Sequence, residues 1–529
     1  MKAKLNTLLV AIGCSAVLPV SAQVLPTNQS NSPWFTDAEA AIAAKQQPAP
    51  TGSAKNVILF VGDGMGVSTL TASRIFQGQE NGDPGEEGLL SFESFPNTAL
   101  VKVYNVNAQT PDSAGTMTAM MSGLKTDVGV IGVDEDIVRG DCSTVAGNEV
   151  FTYLELAEVA GMSTGVVTSA RITHATPAAT YAKSADRNWE DISDMPQEAV
   201  DAGCEDIASQ LVNFEQNLEA RYQGIDVDGI EVAMGGGRRH FLPNDPAFNS
   251  PDARSSTEGD RTDGRDLTAE WLANYPDGVY VFDQAGFDAI DPNNTERVLG
   301  LFNESHVQYE ADRGNDIAGE PSLSEQTAAA IDILDNNDNG FFLMVESGRI
   351  DHAHHAGSAY GALTDTVEFA AAVQAAVDNT NPDETLILVT ADHSHVFTIA
   401  GYPQRGNPIL GTVVPVGATE PALASDGKPY TTLGYNNGRG YRDLGTETNA
   451  DATYDFDPVA GRDGQDLSVI DTTATGFHQE TLVPLSSETH SGEDISLHAN
   501  GPGAQNVSGT IEQNVVFHIM NQARRLIGD

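Results

Sequence analysis

Four stretches of this chain carry mostly apolar runs rather than the alternation of a half-exposed strand: residues 56–61, 164–169, 341–345 and 385–390. Short runs of this kind, bounded by turn residues, predict strands buried on both faces. Ala-rich stretches with helical spacing, such as 359–378, lie between several of them. Strands alternating with helices predict an α/β fold: a three-layer sandwich whose large, mainly parallel central sheet is covered on both sides. In such a sheet, ligands gather beyond the carboxyl ends of the strands. Two regions break the pattern. Residues 213–330 are mixed and polar, and 402–480, rich in Gly, Thr, Asp and Asn, predict an insertion of short strands and loops.

The amino terminus changes the picture first. Lys2 and Lys4 precede an apolar stretch at 8–20 and a small-residue cleavage site ending at Ala22, the layout of an export signal. Residues 1–22 are expected to be removed, 23–54 to form an N-terminal arm, and 55–529 to fold. No run reaches the length of a membrane span. The protein is therefore expected to be exported, to a periplasm or to the extracellular space. Acidic residues outnumber basic ones by 75 to 27, giving a formal net charge of -48. Such a surface repels nucleic acid and anionic membranes, which excludes roles that grip a phosphate backbone. After cleavage two cysteines remain, Cys142 and Cys204. In an oxidising compartment they pair, or else they stay as two buried thiols.

Candidate chemistry sits just past the predicted strand ends. Asp63 follows the first strand. Glu346 ends the third, with Asp351, His352, His354 and His355 close behind. Asp392, His393 and His395 follow the fourth, and Glu488 and His490 come after the Gly-rich insertion. Asp351 and His355 are four residues apart, so on a helix they share one face and can hold one ion. Zinc takes imidazole nitrogen and carboxylate oxygen, whereas magnesium takes oxygen, so this donor set suits both. Taken singly, each cluster has a plain structural reading as a tight turn, surface histidines or a core pair. Their recurrence at strand ends is what singles them out. Ser113, in a Pro-Asp-Ser-Ala-Gly-Thr segment before an Ala/Met-rich helix, reads either as an N-cap or as a nucleophile beside a helix N-terminus that favours phosphate.

The motifs VGDGMG (61–66), PDSAGT (111–116), HATPAATYA (174–182), RNW (187–189), VESGRIDHAHH (345–355), TADHSHVF (390–397) and THSGED (489–494) together resemble those of the alkaline phosphatases. The resemblance runs from Lys55 to about Ile519. It implies two zinc ions and one magnesium: the first zinc on Asp351, His355 and His490, and the second on Asp63, Asp392, His393 and Ser113. Magnesium would sit on Asp63, Thr176 and Glu346, with Asp63 bridging. It also implies Ser113 as nucleophile in a double displacement, Arg187 as a bidentate phosphate clamp and Asp112 as its orienting partner. His174 and His352 stand where some members carry Asp and Lys, and would shape the surroundings of magnesium and the water-mediated phosphate contact. Cys142 and Cys204 match a disulfide of the branch with those two histidines. The 402–480 insertion resembles the family's crown, which implies a homodimer. The expected substrates are small phosphate monoesters, with inorganic phosphate as product. Competing readings are a phosphodiesterase or sulfatase on the same scaffold, and a non-catalytic acidic metal-binding protein outside the cell.

Overall fold

The computed structural model of the chain describes residues 52–222, 224–451 and 456–527. The expected export signal, and the arm up to residue 51, lie outside the described residues. Ten strands form one sheet: β1 (Asn56–Gly62), β2 (Asn97–Lys102), β3 (Ser163–Arg171), β4 (Val232–Gly236), β5 (Val279–Val281), β6 (Val298–Leu301), β7 (Phe341–Ser347), β8 (Thr385–Ala391), β9 (Ile495–Asn500) and β10 (Gly509–Glu512). Their order across the sheet is β10-β2-β9-β8-β1-β7-β3-β4-β6-β5. In this sheet only β9 runs antiparallel to its neighbours. The α/β, mainly parallel reading of the sequence therefore holds.

Every residue of β1, β7 and β8 is buried, which is why these strands read as continuous apolar runs. Helices cover both faces. Val67–Glu80, Leu323–Leu334 and Ala359–Asn379 pack together on one side, and Ser113–Ser122, Tyr153–Val159, Ala175–Tyr181 and Val515–Arg524 pack together on the other. Edge-to-face contact between Phe60 of β1 and Phe369, ring centroids 5.8 Å apart, ties the central strand to the first layer.

Register positions the chemistry. Gly62 at the end of β1 is level with Ser347 of β7 and with Ala391 of β8, and Thr168 of β3 pairs with Glu346 of β7. Four parallel strands thus end side by side, and the residues that follow them face a common space. β9, being antiparallel, starts at that same edge, so the chain just before it returns His490 to the place where Asp392 and His393 leave β8.

The polar 213–330 region contributes β4, β5 and β6. These strands are three to five residues long and β4 ends in two glycines, so no apolar run announced them. Within 402–480 lie Leu433–Gly438, Arg442–Asp443 and Phe477–His478, short strands joined by loops.

Cys142 and Cys204 form a disulfide, with Cα atoms 5.9 Å apart across 62 positions of sequence. The pair packs on a small apolar cluster containing Val130, Val133 and Trp189. Closing a loop of this length removes denatured-state entropy worth up to about 4 kcal/mol in the chain-entropy treatment. A Cys142→Ser/Cys204→Ser variant is expected to unfold at lower urea, and an unchanged midpoint would show that the crosslink contributes nothing.

Candidate active site

Asp63 leaves β1 through a turn that only glycine fits. Gly64 has φ +68°, and a Cβ there would lie 2.3 Å from the His395 ring. The same turn aims the Gly64 N–H at Asp392 Oδ1, 3.0 Å away. Ser113 is the first residue of its helix. Asp112 is the N-cap instead, accepting the Gly115 N–H at 3.1 Å, so the capping role open to Ser113 in the sequence is taken by its neighbour. The Ser113 hydroxyl is thereby left to face the site. It lies 3.2 Å from His393 Nε2 and 3.4 Å from Asp63 Oδ1.

His393 Nε2 also stands 3.3 Å from both Asp63 Oδ1 and Asp392 Oδ2. One ring nitrogen has a single proton or lone pair, and three oxygens at 3.2–3.3 Å are too many and too far for ordinary hydrogen bonds. The spacing is that of donors around a shared cation. A second group repeats it: Asp351 Oδ1 lies 3.3 Å from His355 Nε2 and 3.3 Å from His490 Nε2, with 3.1 Å between the two nitrogens. Asp351 and His355 share one face of the helix Arg349–Ala356. A third group joins Asp63 to Glu346 and His174. There Asp63 Oδ2 and Glu346 Oε1 are buried without a well-formed hydrogen bond and the Thr176 hydroxyl lies beside Glu346, an arrangement of clustered oxygens that is costly unless a cation is shared among them. Asp63 belongs to two groups at once.

Arg187 donates to Asp112 Oδ2 at 3.1 Å and approaches His174 Nε2 at 3.3 Å. One carboxylate, Asp112, therefore caps the helix that begins at Ser113 and holds the arginine.

A family model described as alkaline phosphatase matches residues 54–526. The tissue-nonspecific alkaline phosphatase of Homo sapiens is 42% identical over 485 residues, 91% of this chain and 86% of that protein. The chain belongs to the alkaline phosphatase family. A Gadus morhua alkaline phosphatase is 41% identical over 89% of this chain and 91% of its own length. In fold, the chain resembles the Thermus thermophilus alkaline phosphatase (TM-score 0.62, 24% identity, covering 95% of this chain and 96% of the other). It also resembles that of the Antarctic bacterium TAB5 (TM-score 0.57, 22% identity, covering 90% and 100%). Family membership makes the protein an enzyme, a phosphoric monoester hydrolase that uses metal ions.

Electrostatics within this phosphatase site follow from burying many charges together. Burial, aided by the neighbouring carboxylates, pushes the Asp63 carboxyl well above its usual range, and burial raises Glu346 to about 8 and Asp392 also upward. Burial likewise keeps His393 and His355 neutral, the state in which imidazole binds metal. Burial would raise Asp351 too, but the imidazoles of His355, His395 and His490 outweigh it and hold the carboxylate well below the usual range.

Several contributors had no role assigned from the sequence. His395 donates to Asp351 at 2.8 Å and to Glu488 at 2.6 Å, and these two acids overcome burial to raise its pKa to about 10. It is a charged brace for Asp351 rather than a third neutral imidazole. The signal was its place two residues after His393, on the same side of an extended segment. The Thr168 hydroxyl donates to Glu346, fixing one oxygen so that the other faces the third group. His306 packs against His352 with the ring planes inclined at 57° and centroids 4.0 Å apart, and lies in the polar region where no motif pointed to it.

Proposed function

We propose that the protein is an exported, metal-dependent phosphomonoesterase that transfers the phosphoryl group of small monoesters to Ser113 and then to water. The observation that carries this is the placement of the Ser113 hydroxyl. It lies at a helix N-terminus, 3.2–3.4 Å from two buried metal-type donors, with Arg187 held beside it by Asp112.

A tetrahedral zinc with bonds of about 2.0–2.1 Å separates its ligand atoms by about 3.3–3.4 Å. The separations of 3.1–3.4 Å in the two His/Asp groups fit that figure. One zinc would be held by Asp351, His355 and His490, and the other by Asp63, Asp392, His393 and Ser113. The oxygen-rich set Asp63, Thr176 and Glu346 fits magnesium. Bound there, these ions supply Lewis acidity and lower the pKa of oxygens attached to them.

Arg187 binds two non-bridging phosphate oxygens through its planar fork, and its Asp112 partner keeps the fork aimed. The first N–H groups of the Ser113 helix add partial positive charge. Ser113 Oγ forms the new bond to phosphorus as the bond to the ester oxygen breaks, and the alcohol departs. Water then cleaves the phosphoserine, releasing inorganic phosphate and restoring the hydroxyl. His174 lies beside the arginine, His352 lies beside His174, and the two shape the phosphate's surroundings. The export signal places the enzyme in a periplasm or outside the cell. The 402–480 insertion acts as a crown for a homodimer, in keeping with the exposed Tyr402, Val416, Leu423 and Leu482 in and beside it.

Turnover of p-nitrophenyl phosphate against bis-p-nitrophenyl phosphate tests the reading. The monoester is expected to react at least about 100-fold faster, because only a dianionic phosphoryl group satisfies both the arginine and the cations. Faster turnover of the diester would overturn it.

A further inference from the structure

Asp451 lies in the insertion, yet its carboxylate reaches the active-site helix. Its Oδ2 accepts from Arg349 Nη2 at 2.9 Å, and its Oδ1 accepts the Tyr309 hydroxyl at 2.9 Å. Arg349, itself buried, places its guanidinium carbon over the Tyr309 ring, 3.6 Å from its centroid. The adjoining chain is seated as well. Ala450 packs with Ala353 and Ala356 of the helix, and the Thr448 hydroxyl donates to Asp312 at 2.7 Å. With one guanidinium nitrogen held by Asp451, the other, Nη1, donates to His352 Nδ1 at 3.1 Å.

A guanidinium has donors and no acceptor, so His352 Nδ1 must accept and the proton of the neutral ring must sit on Nε2. The ring plane is set by its neighbours, His306 at 4.0 Å and His174 at 5.4 Å between centroids. We infer that Asp451 and Arg349 are positioning residues, a clamp from the insertion that locks His352 with its Nε2–H presented as a hydrogen-bond donor for the phosphate group. The inference rests on the phosphomonoesterase reading. It adds that phosphate affinity is set in part from the insertion, through two residues that do not touch substrate. Without the Asp451 carboxylate, Arg349 is free to turn away, and His352 can take the other tautomer, which offers a lone pair to an anion instead of a proton.

The test uses the intact, metal-loaded enzyme. KM, kcat and inhibition by inorganic phosphate are measured for Asp451→Ala, Asp451→Glu and Arg349→Lys, and for Asp451→Ala combined with His352→Ala. Asp451→Ala is expected to weaken phosphate inhibition and raise KM roughly three- to tenfold while kcat stays within about twofold, the pattern of lost uniform binding. Asp451→Glu is expected to recover part of the loss. Arg349→Lys should behave like Asp451→Ala, because an ammonium cannot reproduce the two-ended grip of the fork. On the His352→Ala background, Asp451→Ala should add nothing. An unchanged inhibition constant in Asp451→Ala, or a full-sized further loss without His352, would overturn the clamp. A wild type that leaves the monoester intact would overturn the functional reading instead, a distinct result.

Discussion

Ser113→Ala is expected to lower kcat for p-nitrophenyl phosphate by at least about 10³-fold, since a covalent route through the hydroxyl is lost and only direct attack by water remains. The structure separates this chemical effect from damage to the fold. Asp112, not Ser113, caps the helix, and the hydroxyl's neighbours within the protein are His393 and Asp63 of the site itself. The melting temperature should therefore move by no more than about 2 °C. Acid quenching of the wild type during turnover should trap a phosphoryl group on the peptide carrying Ser113, and the alanine variant should carry none. Activity within tenfold of wild type would remove Ser113 as the nucleophile. Asp112→Ala would be a poorer test, because it removes the helix cap and the Arg187 partner together.

The sequence made one part of this molecule legible and hid another, for physical reasons. β1, β7 and β8 are buried on both faces, so their composition alone marked them, and their acidic and histidine followers stood out because charged groups rarely border such runs. β5 spans three residues, Val279–Val281, and two of them are only partly buried, so its hydrophobic signal is no stronger than that of a loop. The same limit hid β2 and β10, whose exposed positions dilute the pattern. Motifs drew out the residues that the structure gathers around Asp63 and Ser113. The spacing of His395 from His393 flagged it but not its contacts with Asp351 and Glu488, and the Arg349–Asp451 pair, separated by 102 positions, depends on a tertiary arrangement that no local spacing encodes.

Removing the cations with a chelator is expected to abolish turnover and to leave a protein whose stability falls as pH rises above about 6.5. In the cation-free protein the buried Glu346 carboxyl has a pKa of about 8 and Asp63 is raised further above its ordinary value, chiefly through burial. Unfolded, both titrate near 4, so below that pH folded and unfolded states are protonated alike and the full stability is present. Between about pH 4.5 and 8 the unfolded chain releases protons that the fold retains, and each such group removes up to a few kcal/mol. His395, raised to about 10, acts in the same sense between about pH 6.5 and 10. Asp351, held low, works oppositely in acid near and below its usual range, and the buried His393 and His355, held low, work oppositely up to about pH 6.5 and add nothing above it. Cations reverse the trend. They keep the carboxylates ionised, and they bind more tightly as competing protons leave, which stabilises the folded state by mass action. The gap in melting temperature between zinc- and magnesium-loaded protein and chelated protein should therefore widen from pH 5 to pH 9. A gap that stays constant or narrows over that range would mean that the buried acids of the site do not give up their protons to bound cations.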